Sequence, residues 1–131
     1  MSGPQPSLPG DKPPVNAFEL KRELVQFTSS EMFYRHRMTG HVYSEGVKHL
    51  AEQTGANWLL DKIFTLQSLP AVRREAFQSW ELTVENTVGR LVCEDGMEKI
   101  VYEEDISFTD FPLDSIVVWF EGATLYLPSE H

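Results

Sequence analysis

The chain has 131 residues, enough for one domain with a buried core and too few for two. Its hydrophobic content of 41% is typical of globular proteins, and its single cysteine, Cys93, excludes an internal disulfide. The net charge of −9 is concentrated in residues 81–131, which hold twelve Asp or Glu against two Lys or Arg, and this disfavours direct binding of nucleic acid, which depends on cations.

The first 15 residues contain five prolines and two glycines among polar side chains, a composition that buries too little apolar surface to fold. We predict a disordered leader over residues 1–15 and a single domain over residues 16–131. The leader has neither the charged nor the apolar region of a secretory signal, and no apolar run reaches the roughly 18 residues of a membrane helix. We therefore expect a cytoplasmic protein that does not contact a membrane.

Two helical patterns flank a stretch of aromatic and basic residues. Asn16 suits the N-cap of a helix over residues 16–28, in which apolar residues recur at roughly helical spacing. Residues 29–43, "SSEMFYRHRMTGHVY", are interrupted by Gly40, and we predict a short helical turn followed by a loop. Ser44 then caps a second helix, which ends where Gly55 supplies a left-handed residue.

Further helical segments follow this glycine. Residues 56–67 restart the helical pattern, with apolar residues spaced to form one inner face. Pro70 suits the first turn of another short helix, which we predict through Phe77.

The apolar period changes from helical to two after residue 78, which indicates strands. "SWELTVEN" (79–86) alternates, and "GRLVCEDGMEKIVYEEDISF" (89–108) predicts a hairpin with a type I′ turn at Asp95-Gly96. "SIVVWFEGATLYL" (115–127) predicts a second hairpin around Glu121-Gly122. The expected class is α+β, with N-terminal helices packed on one face of a roughly five-stranded antiparallel meander.

Catalytic and metal signatures are weak in this sequence. Cys93 lies within a predicted strand beside Glu94, and neighbouring carboxylates raise a thiol pKa, so we interpret it as structural. The chain has no HExxH or CxxC metal motif, no GxSxG serine elbow and no GxGxxG or Walker phosphate loop. We predict no catalytic residue, no metal and no cofactor.

The loop at residues 34–43 nevertheless contains side chains of the kinds that line ligand pockets. Histidine and tyrosine are concentrated there, and Asp61 lies on a following helix, at the edge of its apolar face. An exposed loop is the simpler interpretation, in which Asp61 bonds a backbone amide or pairs with Arg35 or Arg37. The alternative is a small enzyme or ligand-binding domain whose pocket contains Tyr34, His36, His41, Tyr43 and Asp61.

The C-terminal carboxylates suggest a surface instead. Strand alternation places Glu103 and Asp105 on one face of their strand and Glu104 on the other. Glycosidase-like use of a carboxylate pair would need a cleft that the sequence does not show. We predict an acidic, solvated sheet surface that includes Glu81, Glu85, Glu103, Asp105, Asp110 and Glu121.

Several segments resemble a family of small uncharacterised bacterial proteins, a domain of unknown function associated with phages, plasmids and other mobile elements. The matching segments are "FTSSEMFYRH" (27–36), "YSEGVKHLAEQTGANWLLDKI" (43–63), "FQSWELTV" (77–84), "FTDFPLDSIVVWF" (108–120) and "LYLPSEH" (125–131). The resemblance supplies no catalytic motif. It implies an accessory gene whose product acts by binding rather than by catalysis.

The leading hypothesis is a non-enzymatic interaction protein that presents its acidic sheet to a basic protein, for example a nucleic-acid-handling or defence protein of the host. Such a charge would raise the association rate with a basic partner at low salt. The enzyme or ligand-binding pocket described above is the second hypothesis. A homodimeric structural protein is the third, so both a monomer and a homodimer stay open.

Overall fold

In the computed structural model, residues 16–27 and 32–131 are described, and within them four helices pack on one face of a seven-stranded sheet. The predicted leader, residues 1–15, lies outside the described residues. The helices are α1 (Ala17–Leu24), α2 (Glu45–Thr54), α3 (Asn57–Leu66) and α4 (Pro70–Arg73). The strands are β1 (Phe33–Arg35), β2 (Val42–Ser44), β3 (Phe77–Glu85), β4 (Val88–Glu94), β5 (Ile100–Ile106), β6 (Ser115–Glu121) and β7 (Thr124–Tyr126), followed by a 3-10 turn, Pro128–Glu130.

The local signals for helix ends are confirmed. The side chain of Asn16 accepts a hydrogen bond from the backbone N–H of Glu19 and begins α1, and Ser44 does the same for Val47 at the start of α2. Gly55 ends α2 in the left-handed conformation, at φ 72°. Helix α4 is shorter than predicted, because Phe77 already belongs to β3.

The predicted five-stranded antiparallel meander is wrong. The strand order is β1-β2-β7-β6-β3-β4-β5, and β2 pairs with β7 in parallel. Strand β6 pairs with β3 instead of with its sequence neighbour β5, which places Val118 beside Trp80 in the core. Alternation in a sequence determines which side chains share a face, but it does not determine which strands are neighbours.

The prediction of a helical turn and loop over residues 29–43 misses two strands in its described part, and only residues 36–41 form a turn. Strands β1 and β2 form a hairpin, closed by bonds from the N–H of His36 to the carbonyl of His41 and from the N–H of Gly40 to the carbonyl of His36. Each strand has three residues, too few to show a period of two. The parallel pairing with β7 extends the sheet to β2.

The structure confirms the positions of the predicted hairpin turns only approximately. The β6–β7 turn lies at Gly122-Ala123, one residue from the predicted position. Residues 95–99 form a longer β4–β5 loop than the predicted two-residue turn, since Asp95 accepts hydrogen bonds from the N–H groups of Met97 and Lys99. The β3–β4 hairpin, whose turn residues were not predicted, has positive φ at both Asn86 and Thr87, as a type I′ turn requires.

The core lies between the helices and the inner face of the sheet. Trp80 and its strand neighbours on this face are buried against α2 and α3, together with Leu59, Ile63 and Phe64. Buried Gln78 donates to the side chain of Gln67 and to the carbonyl of Val72, so it joins α3 and α4 to β3. Cys93 is fully buried here, and burial raises its thiol pKa to about 12.

The C-terminal turn attaches the end of the chain to α2. One carboxylate oxygen of Glu130 accepts bonds from the Ser44 hydroxyl at 2.6 Å and from the N–H of Leu127 at 2.8 Å. The other accepts a bond from the N–H of Gly46 at 3.1 Å, in the first turn of the helix. A negative side chain at this position complements the unpaired N–H groups and the positive end of the helix.

Candidate functional site

The outer face of the sheet, opposite the helices, carries the side chains that alternate with the core positions. Strand β3 contributes every second residue from Phe77 to Glu85 to this face, and none of these five residues is buried. In an antiparallel sheet, one covered face and one open face are common. The open face here is broad, because β3, β4, β5 and β6 all contribute to it.

Five of the six predicted surface carboxylates lie on this outer face. The strand register places Glu81 and Glu103 on opposite sides of Val92. Glu85 is the last residue of β3, and Glu121 pairs with Phe77 at the other end of that strand. Asp105 completes the group, and Asp110 is an exposed residue of the loop after β5, between buried Thr109 and Phe111. The sequence pattern therefore brings these five carboxylates to one face, and Asp110 lies outside it.

Arg90 neutralises part of this acidic face. Its guanidinium contacts Asp105 at 2.7 Å and Glu103 at 2.6 Å, and the hydrogen bonds to these carboxylates raise the pKa of Arg90. Glu103 and Asp105 are therefore paired rather than simply solvated. Among the described residues, no ion pair involves Glu81, Glu85 or Glu121.

Glu104 faces the helices and has a different role. Its carboxylate accepts hydrogen bonds from the Lys62 ammonium at 2.9 Å and from the Tyr102 hydroxyl at 2.7 Å. The hydrogen bonds from Lys62 and then Tyr102 lower the pKa of Glu104. The charge that interrupts the apolar pattern of β5 thus ties the strand to α3.

An aromatic cluster shares the outer face with the carboxylates. The ring of Trp119 contacts Phe77 at 5.3 Å, His131 at 5.5 Å and Tyr126 at 6.2 Å between centroids, in each case edge to face. Tyr126 and His131 stack at 6.0 Å. This cluster was not predicted from the sequence, although Trp119 and Glu121 are two residues apart in β6 and therefore share a face.

A cavity of about 300 Å³ opens beside this cluster. The Tyr126 hydroxyl donates to the Glu121 carboxylate at 3.0 Å, and burial, followed by this bond, raises the tyrosine pKa to about 12. The described residues that line the cavity are Phe33, Ser44, Glu121, Thr124, Tyr126, Glu130 and His131. Its walls therefore combine aromatic rings with carboxylates.

The histidines of the β1–β2 hairpin lie on the helix side. His36 contacts the Asp61 carboxylate through Nε2 at 2.6 Å and the Thr39 hydroxyl through Nδ1 at 2.9 Å. The order hydroxyl, imidazole, carboxylate matches a nucleophilic triad, but Nδ1 also accepts the N–H of Thr39. We interpret these contacts as structural, because they close the hairpin turn and attach it to α3. Among the described residues, Asp61 thus pairs with His36, as in the alternative pocket, and not with a backbone amide, Arg35 or Arg37, as the exposed-loop interpretation predicted.

His41 is the one side chain of the described residues with a buried polar atom that lacks a partner, its Nδ1. Its ring stacks on Phe64 at 5.2 Å and meets Phe120 edge to face at 5.6 Å. Burial, and then the charge of His36, lowers the pKa of His41, so the ring is neutral at neutral pH. The same ring lines a cavity of about 660 Å³ between the hairpin turn and the C-terminal end of α3.

The predicted tyrosines pack elsewhere. Tyr34 and Tyr43 stack on each other at 5.8 Å, and the Lys48 ammonium lies 5.1 Å from the centroid of the Tyr34 ring. Neither tyrosine lines the His41 cavity. The five residues of the predicted pocket therefore form three groups. Asp61 pairs with His36, Tyr34 stacks on Tyr43, and His41 lines a separate cavity.

Metal clusters and membrane-spanning helices are both absent from residues 16–27 and 32–131. There, no three or more His, Cys, Asp or Glu side chains come together in a way that would hold a metal ion. None of the helices in these ranges is long and apolar enough to cross a membrane.

Among the comparisons with known proteins, only the one with family models gives a match. No curated protein and no solved structure matches this chain. The family model DUF6876, described as a family of unknown function, matches residues 18–131, which is nearly all of the domain predicted from the sequence. The chain therefore belongs to the family of unknown function DUF6876.

Proposed function

We propose that this protein is a non-enzymatic interaction module that binds a basic protein through the outer face of its sheet. The observation that carries the proposal is that one open face of the sheet combines five carboxylates with partly exposed aromatic and aliphatic side chains. Such a face suits a partner with cationic side chains around an apolar contact, as in protein interfaces in general.

The charge of the face favours a protein partner over nucleic acid. Glu81, Glu85 and Glu121 would repel phosphates, and Arg90 is already paired with two carboxylates. The mobile-element context that the resemblance implies suggests a host nucleic-acid-handling or defence protein as this partner. In this proposal the carboxylates of the acidic face bind where the partner would otherwise bind the phosphates of nucleic acid. The complex forms in the cytoplasm.

Paired variants of equal net charge test the proposal. The face variant carries Glu81→Gln and Glu85→Gln, and the control carries Glu19→Gln and Glu45→Gln, two exposed carboxylates on the helices. Each tagged protein is incubated with extract of its native host and eluted in a salt gradient, and the eluted proteins are identified by mass spectrometry. We expect a basic protein that the parent and the control retain and that the face variant releases at lower salt.

Two results would contradict the proposal. One is identical retention of every protein by the face variant and the control, since a binding face must respond to its own charges. The other is the absence of any basic protein at low as well as physiological salt.

A second candidate function is ligand binding at the His41 cavity. The observation that favours it is the unpartnered buried Nδ1 of His41, because such a group costs stability and is often retained at functional sites. A small-molecule screen by thermal shift tests it, with His41→Phe as the comparison. A ligand of this cavity should stabilise the parent and lose its effect in the variant, whereas equal shifts would exclude the cavity.

Self-association through a free strand edge is the third candidate. Strand β5 is an edge of the sheet and carries Glu103, Glu104 and Asp105 in succession, an arrangement that opposes pairing with a second copy. We therefore expect a monomer by light scattering. A concentration-dependent dimer would instead favour the homodimeric structural protein.

A further inference from the structure

The cavity beside Tyr126 has features that the acidic face as a whole does not have. It is a concave space of about 300 Å³, at the lower end of the range for ligand pockets, and so fits one side chain rather than a cofactor. Two of its described lining residues are glutamates, and none is lysine or arginine. A cationic group is therefore the complementary occupant, and an anionic group is excluded by charge.

The aromatic walls favour the same kind of occupant. Phe33 is 52% exposed although it is a large apolar residue, and Tyr126 and His131 present stacked rings at the cavity. Aromatic faces attract ammonium and guanidinium groups through the negative charge of the ring face. An exposed phenylalanine in a three-residue edge strand adds little to the core, but it supplies one wall of such a site.

The two glutamates have different positions in the cavity. The Glu130 carboxylate is held by Ser44, Gly46 and Leu127, which fixes a negative charge at the base of the C-terminal turn. Glu121 is exposed, and the one described hydrogen bond to its carboxylate is from the Tyr126 hydroxyl. A carboxylate oriented by one donor still has lone pairs for a cation, and this makes Glu121 the counter-ion of the site.

We propose that this cavity receives the guanidinium or ammonium group of a lysine or arginine from the partner protein, with Glu121 as its counter-ion and Phe33, Tyr126 and His131 as its aromatic walls. The inference rests on the proposed function, because it names the contact through which the basic partner is recognised. The remaining carboxylates of the outer face then attract the basic segment, while the cavity binds one of its side chains. Arginine fits best, because its planar group stacks on rings and bonds a carboxylate at the same time.

The test uses blocked arginine, N-acetyl-arginine methylamide, as the probe. N-acetyl-citrulline methylamide has nearly the same shape without the charge and is the matched ligand control. Binding is followed by NMR on the whole chain at about pH 8, where imidazole side chains are generally neutral. We expect shifts in the ring signals of Phe33, Tyr126 and His131 and in the indole N–H of Trp119, with arginine only.

Two charge variants separate the cavity from the general attraction of the face. Glu121→Gln removes the counter-ion, and Glu81→Gln removes one carboxylate from the same face outside the cavity. We expect Glu121→Gln to weaken arginine binding about tenfold, and Glu81→Gln to weaken it less than about twofold, since exposed charges at a distance are screened. Phe33→Ser, at an exposed position, should also weaken binding, and thermal melts check that each variant is folded.

The outcomes distinguish this inference from the proposed function. Equal weakening by Glu81→Gln and Glu121→Gln, or equal shifts with citrulline, would overturn the cavity site. The face could still bind a basic partner in that case, which the extract experiment decides separately. Conversely, the face variant and its control could retain the same proteins from the extract while arginine still binds specifically at the cavity. That result would refute the broad acidic interface and leave the cavity as a cation site.

Discussion

The C-terminal turn should contribute a large share of the stability of the fold, and Glu130→Ala tests this. The substitution removes a carboxylate that accepts hydrogen bonds from the described residues Ser44, Gly46 and Leu127. Hydrogen bonds to charged groups contribute about 1.5–3 kcal/mol each, but bonds to a single carboxylate are not additive, so we expect a loss of about 3 kcal/mol.

Chemical and thermal unfolding of the full chain measure this effect. For a domain of this size, a loss of about 3 kcal/mol corresponds to a fall in Tm of about 10 °C. Glu45→Ala is the matched control, because Glu45 is an exposed carboxylate in the first turn of the same helix. We expect a loss of about 0.5 kcal/mol from the control, which is the usual contribution of a charge near a helix end. Similar losses in both variants would refute the reasoning.

A glycine in the same contact gives an independent check. Replacing glycine by alanine within a helix usually stabilises by about 1 kcal/mol. At Gly46, however, an added Cβ would lie 2.7 Å from Leu127 Cδ1 and 2.8 Å from the Glu130 carboxyl carbon. We expect Gly46→Ala to destabilise the protein, because the C-terminal turn must move away from α2. A rise in the free energy of unfolding would show that this turn is loosely attached.

Three further predictions concern titratable groups inside the fold. Cys93 should not react with a thiol reagent at about pH 8 until the protein unfolds, because burial raises its pKa to about 12, and rapid reaction of the native protein would contradict this. The lowered pKa of Glu104 stabilises the fold fully above its unperturbed value of 4.5, and this contribution is lost as the pH falls through the folded-state pKa. Glu104→Gln should therefore show a smaller loss of stability on acidification in urea titrations, and an unchanged pH profile would contradict the assignment. The lowered pKa of His41 likewise gives stability that is complete above 6.5 and falls as the pH drops through the folded-state pKa, so melts of His41→Phe should lack this dependence and match or exceed the parent at neutral pH.

The sequence by itself determined the local structure where the signal is contained in a few neighbouring residues. Asn16, Ser44 and Gly55 place helix ends because capping depends on bonds between residues three or four positions apart. Alternation in β3 and β5 places Glu81, Glu103 and Asp105 on one face, because a strand has a period of two whatever its neighbours are. The sequence also indicated membership of a family of unknown function, which the family match over residues 18–131 shows, whereas the bacterial and mobile-element origin stays a prediction.

Only the tertiary structure decided which strands are neighbours and which side chains meet. The insertion of β6 between β3 and β7, and the parallel pairing of β2 with β7, depend on burial of the whole inner face, a sum over distant residues. For the same reason, the sequence offered the meeting of Asp61 with His36 only as one of two alternatives, and it did not predict that Arg90 would neutralise two carboxylates. The cavity beside Tyr126 joins residues from β1 and the C-terminal turn, which are far apart in the sequence. Contacts of this kind leave no local pattern, because they form only after the sheet order is set.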